Sequence, residues 1–168
     1  MLKITSKNTC CFTGHRPDKL PWREDERDTR CVVLKEKIRD AVDAVYQAGI
    51  HHYICGMALG CDMYFSEAVI SLRNEHPEIT LEAAIPCETQ SQYWNEADRN
   101  RYFYIVAQCD YETLLQRRYS SDCMLRRNRY MVDHSSILIA VFDGSFGGTM
   151  HTFNYAKKRG LEIIHIVP

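Results

Sequence analysis

Apolar residues along this chain fall into short continuous runs that alternate with longer stretches of helical period. Thr9-Cys10-Cys11-Phe12-Thr13 predicts a first strand, and the polar stretch after it, with Pro17, Pro21 and Trp22, predicts a loop. Leu34, Ile38, Ala41, Val42, Val45 and Tyr46 recur at helical spacing, and Gly49 stands where a C-terminal cap belongs, so a helix is expected over roughly 29–48. Tyr53-Ile54-Cys55 then reads as a buried strand, Gly56-Met57-Ala58-Leu59-Gly60 as a turn, and Tyr64, Phe65, Ala68, Val69 and Leu72 as the apolar face of a second helix. Ile79 to Ile85, ended by Pro86, makes a third strand, and Thr89 to Val106 a helix with Trp94, Ala97 and Tyr104 among its apolar positions. Tyr111 to Leu115 is a candidate fourth strand.

Ser121 or Asp122 can cap a helix running to about His134, and the unbroken apolar run Ile137 to Phe142 has the character of a central parallel strand. Asp143 to Thr149 is a glycine-bearing loop, Thr149 to Arg159 a helix ended by Gly160, and Ile163 to Val167 a last strand. Such alternation predicts an α/β fold: a Rossmann-like, doubly wound, mainly parallel sheet of five to six strands with helices on both faces.

Composition narrows the setting. The 168 residues, 45% hydrophobic and 26% charged, are those of an ordinary globular chain, so one domain over 1–168 is expected and wholesale disorder is excluded. Lys+Arg number 21 against 22 Asp+Glu, so the net charge of -1 gives no chain-wide basic field for duplex nucleic acid or anionic lipid. Ile137 to Phe142 is too short to span a membrane and the N-terminus lacks a signal-peptide core, so a cytoplasmic protein without membrane partners is expected. The eight cysteines, at 10, 11, 31, 55, 61, 87, 109 and 123, form no C-x-x-C and no Cys/His ligand pair, which argues against a structural metal and for free, mostly buried thiols.

In an open parallel sheet a ligand lies beyond the carboxyl ends of the strands, and six of the eight glycines fall there: Gly14, Gly56, Gly60, Gly144, Gly147 and Gly148. Glycine lets backbone N–H groups approach an anion, and a helix N-terminus adds a positive dipole end. Turning alone does not call for glycine in three loops that meet on one edge. Neither G-x-G-x-x-G after the first strand nor G-x-x-x-x-G-K-[ST] occurs, so a standard dinucleotide fold and a Walker-A enzyme are both unsupported.

The first loop, Thr13-Gly14-His15-Arg16-Pro17, offers a hydroxyl, an imidazole and a guanidinium. Arg16 suits bidentate phosphate contact, whereas His15 reads equally as a hydrogen-bonded loop histidine. Asp62 fits ribose hydroxyls or a helix cap. Cys87, after Pro86, stands where a nucleophile could sit with His15 or His151, although packing is the plainer reading. Trp94, near Gln90 and Tyr93, reads as core before it reads as a stacking surface. The basic concentration Arg117, Arg118, Arg126, Arg127 and Arg129, with Tyr119 and Tyr130 nearby, fits a single-strand contact or a solvated face.

Phe12-Thr13-Gly14-His15-Arg16-Pro17, Gly56 to Asp62, Ile85-Pro86-Cys87 with Gln90 and Trp94, Arg127-Asn128, Asp143-Gly144 and Gly147-Gly148-Thr149 together resemble the YpsA-like branch of the SLOG superfamily over nearly the whole chain. The superfamily includes the DNA-processing protein DprA, the Lonely Guy phosphoribohydrolases and sensors of nucleotide-derived ligands. The resemblance implies a nucleotide-type ligand, ADP-ribose-like or a nucleoside phosphate, with Gly147, Gly148 and Thr149 at its phosphate. It also implies contacts from Met57, Pro86, Cys87, Gln90, Asp143 and Gly144, and assigns Arg127 and Asn128 to the ligand or to loop scaffolding. Lonely Guy enzymes follow P-G-G-x-G-T with paired glutamates, whereas Phe146-Gly147-Gly148-Thr149-Met150-His151-Thr152 is followed by no carboxylate. Cleaving an N-glycosidic bond calls for a carboxylate or an equivalent general acid/base near the ribose, and His151 could substitute only by a different mechanism. Binding or sensing is therefore expected ahead of nucleotide N-glycosidic hydrolysis or transfer, with DprA-like single-stranded DNA binding third. No cofactor is required, and homo-oligomerisation is left open.

Overall fold

The computed structural model describes residues 3–168. Its elements follow in the order β1 (Thr9–Gly14), α1 (Thr29–Gln47), β2 (His52–Cys55), α2 (Cys61–Arg73), β3 (Thr80–Ile85), α3 (Glu96–Val106), β4 (Tyr111–Leu114), α4 (Cys123–Asp133), β5 (Ile137–Val141), α5 (Gly148–Arg159) and β6 (Glu162–Ile166). All six strands are parallel and lie in the order β4-β3-β2-β1-β5-β6. This is a Rossmann-like α/β fold.

Because successive side chains of a strand point to opposite faces, adjacent residues of β1 serve different cores. Cys10 and Phe12 join Tyr53, Leu81 and Ile139 beneath α1, α2 and α3, with the Phe12 ring stacked on Phe65 at 4.5 Å. Cys11 joins Ile54, Ala84, Leu138 and Ala140 beneath α4 and α5. Coverage on both faces explains why the central strands are almost unbroken apolar runs. Seven of the eight cysteines are buried, as small hydrophobes are.

Helix ends follow local chemistry. Asp28 caps α1 by accepting from Arg30 N–H at 2.8 Å, and Gly160 ends α5 in the left-handed conformation. The third helix differs from the sequence expectation of 89–106. Residues 88–94 are turns, because the Asn95 side chain accepts from Asp98 N–H at 2.9 Å and starts α3 one residue later. Trp94 packs edge-on to Tyr102 at 5.5 Å, which is a core role.

One polar cluster lies inside the α4 face. Glu82 on β3 accepts from His52 at 2.9 Å, from Thr113 at 2.7 Å and from Tyr130 at 2.7 Å, binding β2, β4 and α4 to one carboxylate. Burial pushes the Glu82 carboxyl up, but these hydrogen bonds outweigh it and hold the group below its ordinary value of 4.5. A carboxylate held low in the folded state contributes stability above the unfolded value and loses it as pH falls through the folded one. Chemical denaturation should therefore show stability dropping as pH is lowered below about 4.5, with Glu82→Gln flattening that slope. At neutral pH Glu82→Ala should cost about 3 kcal/mol, since it strands buried donors. A loss under about 0.5 kcal/mol would mean that the cluster is not structural.

Candidate functional site

From β1 the chain steps outward through β2, β3 and β4, then returns to lay β5 along the other side of β1. Connections that leave in opposite directions open a crevice at the carboxyl ends of the two central strands. A cavity of about 170 Å³ lies there. Its walls are Thr13, Gly14, His15, Arg16, Asp18 and Lys19 after β1, Ala58 and Asp62 at the start of α2, Met124, Arg127, Asn128 and Met131 on α4, and Ser145, Gly147, Gly148 and Thr149 at the start of α5.

Close backbone approach shapes the α2 side. Gly60 has φ +82°, and a β-carbon there would stand 2.9 Å from the His15 carbonyl oxygen and 2.9 Å from Pro17 Cδ. That approach lets Cys61 N–H donate to the His15 carbonyl at 3.2 Å, fixing α2 to the end of β1. Asp62 does not cap the helix; its Oδ2 accepts from Ala58 N–H at 3.0 Å, inside the connection. Burial pushes the Asp62 carboxyl up, opposed by the charge of Arg127 and by the Ala58 N–H.

Arg127 reaches in from the opposite face of the sheet and is 4% exposed. Its guanidinium donates to the Gly56 carbonyl, to Asn128 Oδ1 at 2.7 Å and to the Met124 sulfur at 3.7 Å. None of these partners is a carboxylate. Burial pulls the guanidinium down, with Asp62 opposing. A β-carbon at position 56 would lie 2.5 Å from a guanidinium nitrogen, so a side chain there would have to displace the guanidinium.

On the β5 side, buried His15 Nε2 donates to Asp143 Oδ1 at 2.8 Å. The Ser145 hydroxyl, and then His15, hold the Asp143 carboxyl well below the usual carboxylate range. Lys19 crosses from the first loop, and its Nζ donates to the Phe146 carbonyl at 2.6 Å.

Ten of the residues singled out in the sequence thus line one cleft: Thr13, Gly14, His15, Arg16, Asp62, Arg127, Asn128, Gly147, Gly148 and Thr149. Gly56, Met57, Gly60 and Asp143 stand behind its walls, and Gly144, with φ +87°, turns the exposed loop beyond β5. Pro86, Cys87 and Gln90 do not line it. Gln90 Nε2 instead donates to the Gly56 carbonyl at 3.0 Å and to that of Met57 at 3.2 Å, bracing a loop in which Met57 has φ +56°. The buried Cys87 sulfur has the Thr89 hydroxyl at 3.7 Å, and His15 is committed to Asp143, so the pairing of Cys87 with His15 is not formed. The basic concentration disperses, with Arg127 inward, Arg126 on Asp122 and Arg129 over the Tyr155 ring. Lys19, Met124 and Met131 were absent from the sequence candidates; no spacing or glycine marks them, and only the fold brings them to the cleft.

A parallel, doubly wound sheet whose glycine loops and buried arginine meet at its switch point is the frame of a SLOG-type Rossmann-like domain. The YspA SLOG family model (YpsA) matches residues 10–163, and the chain belongs to that family. Among curated relatives, the UPF0398 proteins of Bacillus thuringiensis (strain Al Hakam) and Bacillus cereus (strain AH187) are each 27% identical over 152 residues, covering 88% of this chain and 82% of the relative. Among solved structures, DNA processing protein A of Streptococcus pneumoniae aligns with TM-score 0.61 and 13% identity over 94% of this chain. DNA processing protein A of Helicobacter pylori, described as binding single-stranded DNA, aligns with TM-score 0.65 and 16% identity over 96%. The chain spans 49% and 65% of those two proteins, and at such identity the likeness is one of fold.

The shared space of Gly56 and Arg127 is open to a double-mutant cycle. Gly56→Ala should cost about 2 kcal/mol by displacing the guanidinium, and distinctly less in an Arg127→Ala background. The two substitutions should couple by about 1 kcal/mol in denaturant unfolding; strict additivity would mean that the side chain does not occupy that space.

Proposed function

We propose that the cleft binds a nucleotide or nucleotide-derived small molecule with its phosphate inward. The observation that carries this reading is Arg127, a buried guanidinium lining the cleft with no carboxylate among its hydrogen-bond partners. Burial outweighs the opposing charge of Asp62 at this guanidinium, and a phosphate entering the cleft relieves that cost with charge-assisted hydrogen bonds. The start of α5 supports the same reading, since its first N–H groups carry the positive end of the helix dipole. Around Gly148 there is open space: a β-carbon built there meets nothing within 4 Å. Arg16 and Lys19 add charge at the same cleft, against Asp18 and Asp62. No cofactor enters this reading.

Calorimetry and thermal unfolding with AMP, ADP, ADP-ribose and NAD test it. A ligand at a hundred times its Kd should add about 2.7 kcal/mol of stability, and bases alone should do less. Gly148→Ala should weaken binding more than about tenfold while leaving the ligand-free Tm unchanged, because its β-carbon enters only the cleft. Failure of every phosphate-bearing probe at millimolar concentration would overturn the reading. Tight single-stranded DNA binding at physiological salt, lost on replacing Arg126 and Arg129 by Ala, would put a DprA-like role in its place.

Asp62 favours a second reading. A buried carboxylate does line the cleft, although it comes from α2 and not from the segment after Thr149. It is the group that N-glycosidic cleavage would need. Under the binding reading, incubation with nucleoside monophosphates releases no free base above background by chromatography. Sustained release, abolished by Asp62→Asn with binding retained, would make the protein a hydrolase.

A further inference from the structure

Two groups that an inner phosphate seat does not explain stand at the edge of the cleft: Lys19, which lines it, and Phe146, which does not line it but lies between Ser145 and Gly147, which do. Phe146, immediately before Gly147, leaves 77% of its surface exposed, with His151 edge-on to its ring at 5.2 Å. Exposing a phenyl ring to water is unfavourable by about 25 cal/mol for each Å² left uncovered, and neighbouring loops do not shelter this one. Lys19 spans the mouth to the Phe146 carbonyl, and a β-carbon at Gly147 would stand 2.5 Å from its ammonium nitrogen. That ammonium is parked at the N-terminal end of α5, where the helix dipole favours an anion and disfavours a cation. Behind it Arg127 lines the same cleft, one guanidinium nitrogen meeting just the Met124 sulfur at 3.7 Å among the described residues. Two cations therefore line one cleft, one buried and one held at the start of α5 by a single neutral carbonyl among the described residues.

We infer that Lys19 and Phe146 form the outer half of the binding site, Lys19 exchanging the Phe146 carbonyl for the ligand's phosphate and the Phe146 ring stacking on the ligand's base. This rests on the phosphate-inward reading and specifies its ligand class: a nucleoside phosphate whose base lies outside the cleft. The cleft volume of about 170 Å³ is below the roughly 300 Å³ at which pockets begin to enclose a drug-sized ligand, so on this reading the phosphate and sugar occupy it and the base lies outside. A base stacked there covers the exposed ring, and because every base has a π-face the mouth discriminates weakly among bases. The ammonium meanwhile moves from a lone carbonyl to a charged oxygen.

Calorimetry with ribose 5-phosphate and with AMP tests this on the unaltered chain, Phe146→Ala and Lys19→Met, each first checked for folding by circular dichroism. AMP should bind the unaltered chain about tenfold more tightly than ribose 5-phosphate, as expected for one stacked base. Phe146→Ala should erase that gap with ribose 5-phosphate affinity unchanged, and Lys19→Met should weaken both probes about tenfold. Persistence of the gap in Phe146→Ala, or undiminished affinity in Lys19→Met, would overturn the inference while leaving an inner phosphate site intact. If neither probe binds the unaltered chain, the inference is overturned, and the phosphate-inward reading falls with it only if ADP, ADP-ribose and NAD fail as well.

Discussion

The architecture of the cleft depends on where one guanidinium is kept. Arg127 leaves α4 on one face of the sheet and donates to the Gly56 carbonyl at the end of β2, from which the chain passes to α2 on the other face. A bond from face to face at the carboxyl edge fixes the depth of the crevice. It also stations a positive charge in the interior with no carboxylate bonded to it, the charge of Asp62 offsetting only part of the effect of burial. Such a charge is tolerated when hydrogen bonds occupy its donors and when something of opposite sign can reach it. Gly56, Asn128 and Met124 supply the first condition, and the open cleft supplies the second.

The remaining walls stand without a ligand. Arg101 on α3 bonds Glu67 at 2.8 Å and Glu26 at 2.5 Å, and Lys35 on α1 also bonds Glu26 at 2.5 Å, so the segment before α1 is tied directly to α1 and α3 and through Arg101 to α2. Leu20 and Trp22 of that segment are buried in the core. Single exposed ion pairs contribute little, but a shared carboxylate between two cations restrains a loop that carries Arg16, Asp18 and Lys19. On the far side the bond from His15 to Asp143 fastens the end of β1 to the loop after β5. The cleft is preformed at its base and adjustable at its mouth, where Lys19 and Phe146 are exposed.

Much of this was legible in the residues. Alternating apolar runs and helical periods predicted the parallel sheet because burial on both faces leaves that pattern, and strand-terminal glycines pointed to the carboxyl edge because backbone approaches there are close. What the sequence could not separate was a glycine needed by a neighbour from one that opens space for a ligand. Gly60 makes room for His15 and Pro17, and Gly56 makes room for Arg127, whereas Gly148 faces emptiness. Asp62 looked like a helix cap, and its true bond to Ala58 N–H is a tertiary detail of the loop. Asn95 cut short a helix whose apolar period runs on to Trp94, since a side-chain cap overrides periodicity. Lys19 carried no signal at all, because its meaning lies in a partner 127 residues away.

A two-dimensional amide and guanidinium NMR titration with inorganic phosphate and with AMP tests the central claim most directly. The account predicts that the largest shifts fall on the backbone N–H groups of Gly148 and Thr149 and on Arg127 Nε, with both probes. Saturable shifts centred elsewhere, with those groups unmoved, would contradict it.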